Sequence, residues 1–114
     1  MAEDNPINQM LAEAVLEQIG YTQVTVVNNG QEAVDAVLSG GFDLVLMDCR
    51  MPVLDGYGAT EQIRAHGCLL PIIAMTANAA STERDKCLNL GMNDYISKPF
   101  NIATLRQALV RWIP

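Results

Sequence analysis

Phe42-Asp43-Leu44-Val45-Leu46-Met47-Asp48 decides how this chain folds. The run is too short for a helix and, Asp43 apart, unbroken in its apolar character. It therefore reads as a strand over Phe42 to Met47 that is buried on both faces, as strands of a parallel sheet are. One carboxylate, Asp48, follows it. Two later runs repeat the design: Ile72 to Met75, introduced by Pro71, ends in Thr76, and a strand over Asp94 to Ser97 leads into Lys98. Side by side in a parallel sheet, these runs bring a carboxylate, a hydroxyl and an ammonium to one edge. The acidic pair Glu3-Asp4, ahead of the first helix, would add the negative charge that a divalent cation needs.

The intervening segments read as helices. Asn5-Pro6 caps and opens one over about Pro6 to Ile19, which Gly20 ends. Val24 to Val27 is a short β-branched strand, followed by Asn29-Gly30 and a helix over about Gln31 to Leu38 closed by Gly40-Gly41. The loop Met51-Pro52-Val53-Leu54-Asp55-Gly56 leads to a helix over about Tyr57 to Ala65, with Asp55 as its cap. A polar helix over about Ser81 to Leu90 stops at Gly91, and Asn101 caps a last helix over about Ile102 to Trp112. Strands alternating with helices predict an α/β fold, a doubly wound parallel sheet covered on both faces. The order nevertheless begins with a helix, because only Met1 and Ala2 precede the acidic pair, so the expected first strand is a stub. In such sheets the ligand crevice lies beyond the carboxyl ends of the strands, where the polar residues above are placed.

At 114 residues the chain is expected to be a single domain over 1–114, burying roughly 65% of its unfolded surface. Half of its residues are apolar, which supports a full core. A net charge of -6, with seven Lys and Arg scattered along the chain, speaks against nucleic acid as a partner, since phosphate backbones require clustered basic residues. No apolar stretch approaches the ~18 to 20 residues of a membrane span, and the first residues lack the parts of a signal peptide, so a cytoplasmic location is expected. Cys49, Cys68 and Cys87 form no CxxC pair and His66 is the one histidine, so reduced thiols are expected rather than a metal set. Met47, Met75 and Met92 read as core filler.

Asp48 emerges from an apolar strand into the crevice, where a carboxylate can attack a phosphoryl donor and form an acyl phosphate. The transition state spreads negative charge over the phosphoryl oxygens, so the protein's task is positioning and positive charge. Lys98 would supply one charge and a magnesium ion two, with Asp4 and Asp48 suiting the oxygen-rich coordination that magnesium prefers. The Thr76 hydroxyl could bond a phosphoryl oxygen and draw its loop inward.

Several segments together resemble the receiver domain of a two-component response regulator: Glu3-Asp4-Asn5-Pro6, Leu44-Val45-Leu46-Met47-Asp48, Met51-Pro52 with Asp55-Gly56, Met75-Thr76-Ala77, and Gly91 with Asp94-Tyr95-Ile96-Ser97-Lys98-Pro99-Phe100. The resemblance implies a flavodoxin-like topology with strand order 2-1-3-4-5 and a truncated first strand. It implies that Asp48 is the phosphoacceptor, and that Asp4, Asp48 and the Arg50 main-chain carbonyl hold magnesium, with Glu3 reaching the ion through water. It further implies that Lys98 contacts the phosphoryl oxygens beside a cis Lys98-Pro99 bond. Thr76 and Tyr95 would form a switch pair reshaping the surface of the fourth and fifth helices. The flanks Asn5-Pro6-Ile7-Asn8-Gln9, Met75-Thr76-Ala77-Asn78-Ala79 and Gly91-Met92-Asn93-Asp94-Tyr95 are similar to receivers attached to hybrid sensor histidine kinases. That subgroup implies a phosphorelay whose partner is a histidine kinase or a histidine-phosphotransfer domain, docking at Ile7 and Met10 of the first helix, with Pro99 and Phe100 adjoining.

Such a domain is not itself an enzyme, although it assists its own phosphorylation and dephosphorylation. Two other readings compete. A phosphatase of the haloacid dehalogenase type shares the Asp, Thr, Lys and magnesium but needs a second Asp two residues after its nucleophile, where this chain has Arg50. A receiver-like dimerisation module that is never phosphorylated is the other. The short first strand leaves two strand edges facing a central slot, so strand exchange or a homodimer is expected as one way of filling it.

Overall fold

Alternating strand residues feed two separate cores, one on each face of a parallel sheet. In the computed structural model, residues 1–20, 24–51, 53–76, 81–97 and 102–112 are described, the side chains of 81–83 excepted. Among these, the regular sheet comprises β1 (Val45–Asp48), β2 (Ile72–Thr76) and β3 (Asp94–Ser97), paired in parallel in that order. Every residue of β1 and β2 is buried, as unbroken apolar runs require. Val45, Met47, Ile72 and Ala74 pack toward α2 (Gly30–Ser39) and α3 (Gly56–Ala65). Leu46, Ile73, Met75 and Ile96 pack toward α1 (Pro6–Ile19) and α5 (Ile102–Trp112). The remaining helix, α4 (Ser81–Asn89), joins the first of these cores through Cys87. Helices on both faces of a parallel sheet make the doubly wound arrangement expected from the alternation.

The caps act as their residue types predict. Asn5 Oδ1 accepts from the Ile7 amide at 2.9 Å, and Gly20 leaves α1 in the left-handed conformation at φ 111°. Asn29 and Asp55 accept from the amides of Glu32 and Gly58 at 2.8 and 2.9 Å. α1, α5 and β3 have the expected bounds, while α3, α4 and β2 differ by one residue at one end and α2 by one residue at each end. Asn101 lies outside the described residues.

Two expectations about strands need correction. The strand expected from Phe42 starts only at Val45, the first residue facing a β2 partner, Ile72; Phe42 and Leu44 are half-buried. The strand expected over Val24 to Val27 contributes a single bridge, at Val27. Ala2 bridges Val27 on one side and Met47 on the other. Four hydrogen bonds hold it there: Ala2 N to Leu46 O at 2.8 Å, Asp48 N to Ala2 O at 3.0 Å, Val27 N to Met1 O at 3.0 Å, and Glu3 N to Val27 O at 3.1 Å. The lateral order is thus Val27, Ala2, β1, β2, β3, which is 2-1-3-4-5 with the stub and Val27 counted as first and second strands.

Behind the stub, the Met1 amino group donates to Thr25 O at 2.7 Å, and burial lowers its pKa from the ordinary 8.0 to about 6 against the opposing charge of Glu13. A cleft of about 30 Å³ remains beside it, bordered by Thr25, Ala36, Phe42 and Leu44, with room for about one water. At the far end of α3, Arg64 donates to the carbonyls of Gly91 (3.0 Å), Cys68 and Leu70 (both 2.8 Å) and to Asn93 Oδ1 (2.8 Å). Burial lowers the Arg64 pKa from its usual value.

Candidate functional site

The stub and β1 deliver their carboxylates to the same place. Ala2 is bonded along β1, so the two residues after it, Glu3 and Asp4, leave the sheet beside Asp48 at the strand end. Carboxylate oxygens of Glu3, Asp4 and Asp48 lie within 4.8 Å of one another. Glu3 and Asp48 are buried, at 1% and 5% exposure, whereas Asp4 is exposed. Ala2, bonded to the segments on both sides, anchors the acidic pair.

Polar donors hold this end of the chain. Glu3 Oε1 accepts from the Asn5 amide at 3.2 Å and from Asn8 Nδ2 at 3.4 Å. Gln9 Nε2 donates to the Glu3 carbonyl and, at 2.9 Å, to Asn28 Oδ1, tying α1 to the segment after Val27. Asp48 Oδ1 accepts from the Arg50 amide at 3.1 Å. The close approach of α3 fixes the same strand end from the other side: a Cβ on Gly56 would lie 2.2 Å from the Asp48 carbonyl oxygen, so no residue but glycine fits there. The Gly56 amide donates to the Cys49 carbonyl at 3.2 Å, and the Cys49 amide to Met75 O at 3.1 Å.

Three carboxylates this close repel one another by at least about 3 kcal/mol per pair at an effective dielectric near 20, and more where water is excluded. Each hydrogen bond to a charged group returns about 1.5 to 3 kcal/mol, which offsets part of that sum. A hard cation offsets the rest, and an all-oxygen donor set suits magnesium or calcium rather than a softer metal. The donor chemistry thus fits the magnesium site expected from the residues.

The other candidate residues are distributed as follows. Thr76, 5% exposed, ends β2 one residue beyond the Asp48 and Met75 pair, on the adjacent strand. Tyr95 is half-buried in the interior of β3, opposite Ala74, with the Arg84 guanidinium 5.9 Å from its ring centre. Arg50 is exposed, as are Ile7 and Met10, at 73% and 72%. Lys98, Pro99 and Phe100 lie outside the described residues, and with them the expected cis bond. His66 is exposed, its Nδ1 2.8 Å from the Gln62 carbonyl at the end of α3. Sequence reasoning missed the anchoring amides of Asn8 and Gln9; their placement in the first turn after the acidic pair was the available signal. It also brought no two cysteines together, whereas the Cys49 and Cys87 sulfurs are 3.9 Å apart.

Comparison with known proteins agrees with this geometry. The sequence profile of the response regulator receiver domain matches residues 1–110. The sensor histidine kinase GacS of Pseudomonas protegens is 42% identical over 115 residues, covering 96% of this chain and 12% of the relative, and the sensor histidine kinase RcsC of Escherichia coli is 38% identical over 109 residues, covering 96% and 11%. The chain therefore spans about an eighth of the length of these curated relatives. Among solved structures, the receiver domain of a Pseudomonas aeruginosa sensor histidine kinase, with a magnesium ion coordinated in its active-site cleft, superposes with a TM-score of 0.89 at 53% identity, covering 98% of this chain and 93% of that one. The receiver domain of a Saccharomyces cerevisiae response regulator, in complex with its histidine phosphotransfer protein, gives 0.89 at 33% identity, covering 97% and 84%. With its parallel α/β sheet and its acidic strand-end cluster, this chain belongs to the response regulator receiver domain family.

Proposed function

We propose that residues 1–114 form one receiver domain that accepts a phosphoryl group on Asp48 in a phosphorelay, in the cytoplasm. The convergence of Glu3, Asp4 and Asp48 within 4.8 Å carries this reading. Asp4, Asp48 and the Arg50 main-chain carbonyl would hold magnesium, with Glu3 acting through water. When bound, the ion neutralises charge developing on the phosphoryl oxygens. A carboxylate oxygen of Asp48 attacks phosphorus, an O–P bond forms, and the N–P bond to the donor imidazole breaks. Lys98 and the Thr76 hydroxyl meet the transferred oxygens. Thr76 and Tyr95 pass the change to the surface made by α4, β3 and α5, where Arg84 covers the Tyr95 ring.

The domain is thereby a phosphoacceptor that assists its own chemistry rather than a turnover enzyme. Its donor is a histidine kinase or a histidine-phosphotransfer domain docking on the exposed Ile7, Met10 and Leu11 of α1, with Pro99 and Phe100 at the edge. The yeast phosphotransfer complex supports such a partner. Strand exchange or a homodimer at the first strand is a second reading of the partner; a compact monomer by light scattering at micromolar concentration rules that out.

Incubation with magnesium and acetyl phosphate tests the central reading. The wild type is expected to gain a base-labile phosphate that Asp48→Asn does not. No incorporation into the wild type, or equal incorporation into both, overturns it.

A further inference from the structure

Cys49 and Cys87 stand 38 positions apart in the chain, yet their sulfurs approach to 3.9 Å inside the core. Both are buried, at 2% and 0% exposure. We propose that this pair is a redox modification site, closing under hydroperoxide to an intramolecular disulfide that ties α4 to the segment following Asp48.

The two thiols sit on backbones of very different freedom. Cys49 is clamped, its amide donating to β2 at Met75 O and its carbonyl accepting from Gly56 at the start of α3. Cys87 is the one buried side chain among those described on α4, whose Arg84, Asp85, Lys86, Leu88 and Asn89 are exposed. A disulfide needs an S–S separation near 2.05 Å, so the sulfurs must approach by about 2 Å. A helix whose described side chains bury Cys87 alone can supply that shift, whereas β1 and α3 cannot. The same loose attachment makes α4 prone to local opening, which admits a small peroxide to thiols that a folded oxidoreductase cannot reach.

The reaction balances with one equivalent of hydrogen peroxide. One thiol is oxidised to the sulfenic acid with release of water; the other sulfur attacks it, the S–O bond breaks, and a second water leaves with the remaining thiol proton. The sulfurs lose two electrons and the peroxide gains them. A dithiol reductant reverses the step by exchange through a mixed disulfide. In the reducing cytosol such a bond is transient, as sensing disulfides are. Its effect on signalling rests on the phosphoacceptor reading above, but its chemistry does not.

Cys68, half-buried after α3, provides the control background. Graded hydrogen peroxide is applied to the wild-type protein and to Cys68→Ser, followed by intact mass and peptide mapping without reduction. Both are expected to lose two hydrogens, to yield one linked pair of peptides carrying Cys49 and Cys87, and to revert with dithiothreitol. Amide exchange across residues 84–89 is expected to slow about tenfold in the oxidised form. In the Cys68→Ser background, Cys49→Ala and Cys87→Ala should lose no hydrogens, and Asp48→Asn, which accepts no phosphate, should link as the wild type does. A folded wild-type protein that forms only sulfinic acid, disulfides through Cys68 or intermolecular dimers overturns the proposal. Should Cys87→Ala fail to fold, the wild-type peptide map and its reversal decide the matter alone.

Discussion

α3 and α4 flank the same face of the sheet at nearly equal length, 10 and 9 residues, yet they are held in opposite ways. α3 buries Gly56, Tyr57, Ala59, Thr60 and Ile63, abuts the end of β1 through Gly56, and sends Arg64 into four hydrogen bonds at its far end. α4 buries Cys87 alone among its described side chains and leans on its neighbours through Lys86, 4.1 Å from the Tyr57 ring centre, and Arg84 over Tyr95. Cation–π contacts at exposed sites contribute about 0.5 to 1 kcal/mol each, far below the burial of a set of core side chains. The difference separates two tasks. A rigid frame holds the carboxylate cluster, while the helix beside Tyr95 is drawn from the weakly held end of the structure, where rearrangement costs least.

Substitutions can break or sharpen this contrast. Ile63→Ala removes a fully buried side chain from α3 and should lower unfolding free energy by about 3 to 4 kcal/mol in urea titration; a loss below about 1 kcal/mol would mean that α3 is not the frame. Arg64→Met keeps the side chain's bulk but removes the guanidinium donor from the carbonyls of Gly91, Cys68 and Leu70, while Asn93 Oδ1 keeps the Ile72 amide, for a loss of about 2 to 3 kcal/mol by the same measurement. Asp55→Ala removes the cap that accepts from Gly58, and about 1 kcal/mol is expected from thermal unfolding. Leu88→Ala on α4, 43% exposed, should change stability by no more than about 0.5 kcal/mol; a larger loss would show α4 to be as firmly packed as α3.

Much of the site was legible because its parts lie at element ends, where local pattern is strongest. Asp48 and Thr76 were found from apolar runs that stop, and Glu3-Asp4 from its place before a capped helix. The extent of β1 was not legible from its own residues, since Phe42 and Leu44 are as apolar as Val45 but lack a partner across the sheet. Thr76 and Tyr95 read as a switch pair from the resemblance alone; that Tyr95 stands opposite Ala74 with Arg84 over its ring depends on β3 register and on the position of α4. The Asn8 and Gln9 amides escaped notice because polar residues in a first helical turn usually face water.

The amino-acid sequence by itself determined the order of elements, their caps, the face each strand residue would take, and the residue types at the strand ends. These depend on periodicity and on hydrogen bonds between neighbours a few positions apart. Only the tertiary structure decided that a two-residue stub occupies the centre of the sheet, that Glu3 and Asp4 are thereby fixed against Asp48, that Cys49 meets Cys87, and that α4 is held more weakly than α3. Those outcomes come from contacts between segments far apart in the chain, whose geometry no local pattern encodes.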